Sequence, residues 1–285
     1  MRNGILAIAV ACGVSAQAFA DEQTAIMQRT VKAAENPMIA SETWEMLRPD
    51  ITDKAEFLDG ESLMFFQAPK AAFDAGAVPI SIRQKRSSGE RITGLSIVVD
   101  ENPAPLVADF DLGPLMGDLY LETRVRYDQP SNVRVIAETD AGNTYMAGRF
   151  VQAAGGCVTV VGGDPLAALA TMGEIRLRLF DAKGGMAAKA SGDTRKAQLM
   201  IRHPNFTGMQ QMPGSDKFIE PRFIDNIEVK LDDEVLFTMT GGFSISEDPS
   251  FRFSFVENGA QQLTVRATDT SGAIFQRSFA LGPGA

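Results

Sequence analysis

Most of the sequence after residue 62 consists of short runs in which apolar and polar side chains alternate. Successive residues of a β-strand point to opposite faces, so this alternation predicts strands that are buried on one face only. Residues typical of turns separate the runs, and no helix-length pattern lies between them. The alternation is clearest at residues 78–83, 119–126, 175–179, 227–231 and 251–255. The sequence therefore predicts an all-β fold built from antiparallel sandwiches.

A break in the alternation divides the chain into two parts. Gly162-Gly163-Asp164-Pro165 interrupts regular structure, and we interpret residues 162–172 as a linker that acts as a hinge. With 285 residues, the chain is long enough for two domains that each bury a core. We therefore expect a first domain at residues 21–161 and a second at residues 173–281.

Aromatic residues are expected to serve packing rather than ligand binding. Phe251, Phe253 and Phe255 recur at strand period, which predicts one buried face rather than a cofactor surface. Trp44 is the only tryptophan, and we expect it to anchor an N-terminal arm to a sandwich. The residues around Trp44 predict a short helix that stops at Pro49.

The first twenty residues have the pattern of an export signal. Arg2 precedes a short apolar segment, and Ala18-Phe19-Ala20 forms a small-x-small cleavage site. No apolar run approaches the ~20 residues of a membrane-spanning helix. These features predict a soluble, exported protein, most simply in the periplasm. Lipid attachment at Cys12 is the alternative use of this segment.

The charge and the metal-binding residue types exclude several kinds of ligand. The net charge of −9 makes a nucleic-acid partner unfavourable, because phosphate binding needs a basic surface. The chain has one histidine, His203, and two cysteines, too few for a histidine-based metal site or a cysteine-rich zinc site. We therefore expect no metal and no cofactor, and we interpret His203 as structural.

Cys157 is the only cysteine that would remain after removal of the export signal. An unpaired cysteine in an oxidising compartment is buried, bonded to another molecule, or kept available for chemistry. A free thiol is a strong nucleophile, and the preceding Gly155 and Gly156 give the backbone freedom and clearance. A small buried apolar residue is the alternative interpretation of Cys157.

Segments in both halves resemble a known pair of proteins. The first half resembles SoxY at residues 102–110, 133–138 and 145–147, and its resemblance ends at Gly155-Gly156-Cys157. The second half resembles SoxZ in segments that occur in the expected order: His203-Pro204-Asn205, Thr207-Gly208, residues 219–224 and residues 229–237. The whole resembles a single-chain SoxY–SoxZ fusion of the type associated with quinoprotein dehydrogenases.

The resemblance implies a non-catalytic carrier with two immunoglobulin-like sandwiches in tandem. It implies that Cys157 holds a sulfur intermediate covalently for separate periplasmic oxidoreductases, and that Gly155 and Gly156 form its flexible arm. It assigns no catalytic residue to this chain and no cofactor. The sulfur-oxidation enzymes, or a quinoprotein dehydrogenase system, would be the partners.

This chain departs from the SoxY pattern after the cysteine. The family has a free glycine-flanked tail there, whereas Val158-Thr159-Val160-Val161 follows here and favours extended, packed structure. A thiol tethered on both sides predicts partners with open grooves. Two other functions stay open: a docking or assembly module for a quinoprotein dehydrogenase in which Cys157 is structural, and a thiol enzyme that would need His203 as its base.

Overall fold

Antiparallel strands dominate the computed structural model of this protein, which confirms the predicted all-β fold. The structure describes four ranges: residues 36–54, 56–159, 165–180 and 194–281. The predicted export signal, the segment before residue 36 and the glycines of the predicted hinge lie outside them. We call residues 36–159 the first half and residues 165–281 the second half.

Fifteen strands lie in the described ranges, and the longer ones match the alternating runs of the sequence. They are β1 (Leu58–Asp59), β2 (Met64–Gln67), β3 (Val78–Gln84), β4 (Ile92–Val99), β5 (Leu106–Leu112), β6 (Tyr120–Val125), β7 (Ser131–Thr139), β8 (Thr144–Val151), β9 (Ile175–Phe180), β10 (Thr194–Ile201), β11 (Ile224–Leu231), β12 (Glu234–Gly241), β13 (Ser250–Val256), β14 (Gln262–Asp269) and β15 (Ile274–Ala280).

The strands form two sheets, and each sheet contains strands from both halves. The order is β1-β8-β7-β4-β5-β12-β11-β14-β15 in the first sheet and β2-β3-β6-β13-β10-β9 in the second. All neighbouring strands are antiparallel except β1 and β8. The halves therefore meet edge to edge, with β5 paired to β12 and β6 paired to β13.

The contact between β5 and β12 is a regular strand ladder. It runs from Phe237 opposite Leu112 to Gly241 opposite Ala108. The pairing of β6 and β13 is shorter, and an isolated bridge between Val125 and Ile245 extends it toward the site described below. The buried core is continuous across the junction of the halves. Sequence patterns do not show which strand edges pair, so this sharing of sheets is a structural finding.

Phenylalanines fill the core where the halves meet, as the alternation predicts. Phe251, Phe253 and Phe255 are fully buried. Phe110 of the first half lies 6.1 Å from both Phe237 and Phe251 of the second, measured between ring centroids. Offset and edge-on aromatic pairs at this spacing stabilise a core beyond their buried area.

Short helices lie at the margins of the sandwich. They are α1 (Glu42–Ile51), α2 (Gly60–Leu63) and α3 (Pro165–Ala170). Ser41 caps the start of helix α1, and its hydroxyl accepts a hydrogen bond from the Trp44 amide at 3.0 Å. None of the helices in the described ranges has the length and apolar character needed to cross a membrane.

The prediction that Pro49 stops this helix is wrong, because α1 continues through it to Ile51. Proline removes one amide donor, while the Thr52 amide still closes the helix by donating to the Arg48 carbonyl at 2.9 Å. The interpretation of Trp44 as an anchor is confirmed. Its side chain is buried, and the Arg134 guanidinium lies 4.4 Å from its ring.

Candidate carrier site at the junction of the two halves

Cys157 lies in a turn that follows β8, and main-chain hydrogen bonds hold this turn against the end of β6. The Gly155 amide donates to the Asp128 carbonyl at 2.9 Å, and the Gly156 amide donates to the Tyr127 carbonyl at 2.8 Å. Residues 126–128 therefore run beside residues 155–157. Gly155 and Gly156, predicted to form a flexible arm, are both held by these hydrogen bonds, and Gly156 is also buried. Their flexibility stays a prediction.

Both glycines have a structural reason to be glycine. Gly155 has a φ of +82°, a conformation that other residues adopt only with strain. A Cβ on Gly156 would lie 2.0 Å from the Ala75 carbonyl oxygen and 2.7 Å from the Gly76 nitrogen. The main chain at residues 75–76 thus covers the turn closely, and only a residue without a side chain fits beneath it.

The thiol of Cys157 is free and fully buried, with no exposed surface. Burial, followed by the negative charge of Asp128, raises the pKa of Cys157 to about 12, although the positive charge of Arg126 opposes both effects. The thiol is therefore protonated at neutral pH in this conformation. Since the thiolate is the nucleophile, Cys157 needs local opening of the turn before it can react.

The second half holds the Cys157 turn in place. The Thr207 hydroxyl donates to the Cys157 carbonyl at 2.7 Å. The Gln210 amide side chain donates to the Thr159 carbonyl at 3.4 Å, while its oxygen accepts from the Thr207 amide. Thr207 belongs to one of the segments that resembles SoxZ. The two resembling regions thus meet at the cysteine.

Arg126 crosses from the first half into the second. Its guanidinium is fully buried and donates to the main-chain carbonyls of Asn205, Phe243, Ile245 and Pro204 at 2.6 to 3.3 Å. Its Nε–H has no hydrogen-bond partner. Burial lowers the pKa of Arg126. The charges of Cys157, Glu247 and Asp74 raise it, and Cys157 has the largest of these three effects.

His203 is a structural residue, as expected from the sequence. Its Nδ1 accepts from the Asn205 amide at 3.0 Å, so Nε2 carries the proton and donates to Asp269 at 3.3 Å. The ring is buried, and burial lowers the pKa of His203. Asn205, with a φ of 44°, turns the chain so that its carbonyl meets Arg126. His203 therefore shapes the loop that holds Arg126 and is not positioned as a base for Cys157.

Glu247 is a second unusual ionisable group near this junction. Burial, followed by the negative charge of Asp248, raises the pKa of Glu247 to about 7, while Arg126 lowers it. Glu247 follows Ser246, whose amide donates to the Arg124 carbonyl at 3.2 Å. Glu247 thus changes charge near neutral pH beside the loop that packs on Arg126.

The structure places Val158 and Thr159 differently from the sequence expectation. The sequence predicts that both are extended and packed, but Val158 lies in the turn with 52% of its surface exposed, and Thr159 is also exposed. The turn is stabilised by the Thr159 hydroxyl, which donates to the Gly155 carbonyl at 2.7 Å. Val160 and Val161 lie outside the described residues.

Sequence reasoning missed the groups that surround the thiol. The alternation of β6 predicts that Arg126 points outward. In the structure the strand ends at Val125, and the Arg126 side chain is buried. Thr207 carries no signal of its own, although the resemblance to SoxZ includes its segment. Within the described ranges, no group of three or more His, Cys, Asp or Glu residues is arranged to hold a metal ion.

Comparison with known families gives two matches in tandem. The model for the sulfur oxidation protein SoxY matches residues 48–157, and the model for the sulphur oxidation protein SoxZ matches residues 182–280. No curated protein matches the chain. SoxY and SoxZ are non-catalytic carrier proteins of sulfur oxidation, in agreement with the expectation that this chain is not an enzyme. The chain is therefore a fusion of a SoxY domain and a SoxZ domain and belongs to this family of sulfur-oxidation carriers.

Proposed function

We propose that this protein is an exported, periplasmic carrier that holds a sulfur intermediate covalently on Cys157 while separate oxidoreductases act on that intermediate. The observation that carries the proposal is the end point of the SoxY match, which falls on Cys157 itself. Cys157 is also the only cysteine in the described ranges. The carrier role in sulfur oxidation comes with the family, whereas the residue and the compartment are proposed here.

The position of Cys157 suits a carrier that alternates between a closed and an open state. In the closed state the thiol is protonated and shielded from oxidants and from unrelated electrophiles. Opening requires few bonds to break: the two glycine amides must leave the carbonyls of residues 127 and 128, and Thr207 must release the Cys157 carbonyl. Exposed Val158 lies next to the thiol, where an approaching partner would first touch the turn.

The tether limits how the open turn meets its partners. Cys157 is followed by chain that continues into the second half, so the thiol cannot be threaded into a deep tunnel as a free tail can. We propose partners with open grooves, either sulfur-oxidation enzymes or a quinoprotein dehydrogenase system.

The burial of Cys157 supports a second candidate function. In a docking or assembly module for a periplasmic quinoprotein dehydrogenase, the thiol would be a small core residue at the junction of the halves. A thiol with no exposed surface and a pKa of about 12 fits that role without any opening of the turn.

Intact mass spectrometry separates the two candidates. The protein is isolated from periplasm without reductant and measured before and after reduction, with the peptide that contains Cys157 mapped. The carrier predicts an adduct that adds sulfur, is removed by reductant and lies on Cys157 in a substantial fraction of molecules. A free thiol under every growth condition tested would favour the docking module.

The two cysteines of the chain provide a matched pair of variants. Cys157→Ser should abolish the adduct and the associated oxidation activity in cells, while circular dichroism shows a folded protein. Cys12→Ser removes a thiol from the predicted export signal and should leave the adduct unchanged. Retained oxidation activity in a folded Cys157→Ser variant would contradict the carrier function.

A further inference from the structure

The guanidinium of Arg126 is a buried positive charge without a directly bonded negative partner. It is fully buried, and its four hydrogen bonds all go to neutral main-chain carbonyls. Among the described residues, no carboxylate oxygen lies within ion-pair distance of it, and its Nε–H is unpaired. A buried charge is costly unless a counter-charge compensates it. Glu247 and Asp74 act on Arg126 through their charges but form no ion pair with it, so a directly bonded anion would compensate the guanidinium further.

Main-chain geometry places Arg126 opposite Cys157, and the charge of each side chain acts on the pKa of the other. Gly155 bonds to residue 128 and Gly156 bonds to residue 127, so the next residue along, Cys157, lies opposite residue 126. The same loop of the second half contacts both residues, because Arg126 donates to the Asn205 carbonyl and Thr207 donates to the Cys157 carbonyl. Arg126 and Cys157 thus both contact the loop at residues 205–207 of the second half.

One further buried polar group beside the loop that holds Arg126 also lacks a partner. Ser246 follows Ile245, whose carbonyl accepts from Arg126, and the Ser246 hydroxyl has no hydrogen-bond partner. Unpaired buried donors are uncommon in folded proteins, so the Arg126 Nε–H and this hydroxyl are two donors that a group bound at the junction in another state could satisfy.

We propose that Arg126 binds the negative charge of the sulfur group carried on Cys157 and thereby stabilises the loaded carrier relative to the unloaded one. The ligand class is an anionic sulfur terminus linked to the cysteine, such as a persulfide or a thiosulfonate. This inference rests on the proposed function in one respect, namely that Cys157 is the loaded residue. Arg126 is a binding residue and takes no part in bond making or breaking.

The protonation state of the thiol explains why loading changes the balance of charge. The unloaded thiol is neutral in the closed turn, so Arg126 has no negative charge beside it on residue 157 and only Glu247 and Asp74 oppose its charge. The sulfonate of a thiosulfonate group is the anion of a strong acid and stays charged at neutral pH, so loading brings a negative charge to residue 157, opposite Arg126 in the main-chain pairing. Charge-assisted hydrogen bonds are about twice as strong as neutral ones, and the buried setting strengthens them.

The test compares an anionic adduct with a smaller, neutral adduct on Cys157 in a Cys12→Ser chain, which has a single thiol. Tetrathionate transfers an –S–SO₃⁻ group to the thiolate and releases thiosulfate. Methyl methanethiosulfonate transfers an –S–CH₃ group and releases methanesulfinate. Each reaction is run in urea to open the turn, followed by refolding, and intact mass confirms one adduct per chain.

Thermal unfolding of the two adducts gives the readout. With Arg126 present, the sulfonate adduct should melt roughly 3 to 10 °C above the methyl adduct. Arg126→Gln and Arg126→Lys should lower the stability of every form, so the readout is the difference in melting temperature between the two adducts of the same variant. This difference should shrink in Arg126→Lys and vanish in Arg126→Gln. Arg124→Gln, which removes a nearby charge that is only partly buried, is the control and should keep the difference.

A sulfonate adduct that melts no higher than the methyl adduct in the chain with Arg126 would overturn the inference, even if the Arg126 variants fail to fold. An equal difference in folded Arg126→Gln would overturn it as well. These outcomes are independent of the adduct found in cells. If Cys157 carries an adduct in cells but the two adducts melt at the same temperature, the carrier function stands and the role of Arg126 does not. If the melting temperatures differ but no adduct is found in cells, the result counts against the carrier function alone.

Discussion

Replacement of Gly156 by alanine should open the Cys157 turn. The new Cβ would lie 2.0 Å from the Ala75 carbonyl oxygen and 2.4 Å from its carbon, so the main chain must move by about 1 Å or more to relieve the overlap. Two hydrogen bonds depend on that contact: the Gly156 amide donates to the Tyr127 carbonyl, and the Tyr127 amide donates to the Ala75 carbonyl at 2.9 Å. The substitution therefore acts on the residues that bury the thiol.

The expected cost follows from these contacts. Overpacking costs about 1–3 kcal/mol, and each weakened main-chain hydrogen bond adds up to about 1 kcal/mol. A loss of roughly 2–4 kcal/mol in the closed turn corresponds to about 30- to 1,000-fold more of the open state. Because only the open state exposes the thiolate, the rate of thiol labelling should rise by a similar factor.

The assay is the rate of modification of Cys157 by a maleimide under native conditions, measured by intact mass, beside the free energy of unfolding in urea. Gly142→Ala is the matched control, because Gly142 has a φ of +78° but no neighbouring atom lies within 4 Å of the place that the new methyl group would take. It should cost about 1 kcal/mol through backbone strain and leave the labelling rate unchanged. Wild-type labelling in a fully stable Gly156→Ala variant would refute the reasoning.

Two further substitutions test the junction. Thr207→Val removes the hydroxyl that donates to the Cys157 carbonyl, so labelling of Cys157 should quicken about fivefold to tenfold. Thr264→Val, which removes a hydroxyl paired with Ser278 between β14 and β15, should leave the rate unchanged. An unchanged rate in Thr207→Val would show that this bond does not limit opening. Glu247 has a folded-state pKa of about 7 against an ordinary value of 4.5, so the folded protein retains a proton that the unfolded chain releases between those values. The free energy of unfolding should therefore fall as pH rises from about 4.5 to 7. Glu247→Gln should weaken this dependence when urea unfolding is compared at pH 5 and pH 8. The same pH dependence in the variant would exclude Glu247 as its source.

The strands were predictable because their signal is local. Alternation at residues 78–83 or 251–255 reports the burial of each side chain directly, and the family resemblance supplied the two immunoglobulin-like domains. Which edges pair across the halves is not local, because the ladder between β5 and β12 joins residues more than one hundred positions apart. The same pattern that identifies a strand does not specify its neighbour.

Sequence reasoning singled out Cys157 for the candidate site but not the residues that surround it. Cys157 stood out because it is a lone thiol after two glycines, but its burial depends on Ala75 and Thr207, which are distant in sequence. Arg126 was hidden by the alternation of β6, which treats it as one more outward cation. Proximity created by the fold gives these residues their role, and the residue types alone do not reveal it.

The sharing of both sheets has a consequence for the assembly of this carrier. Separate subunits joined along β5–β12 and β6–β13 would dissociate on dilution, and each would then expose an unpaired strand edge. In one chain the pairing is intramolecular, so the effective concentration of one half at the other does not depend on how much protein the cell makes. Each molecule therefore contains one Cys157 and one anchoring loop in fixed stoichiometry, even at the low concentrations at which a two-chain carrier would separate.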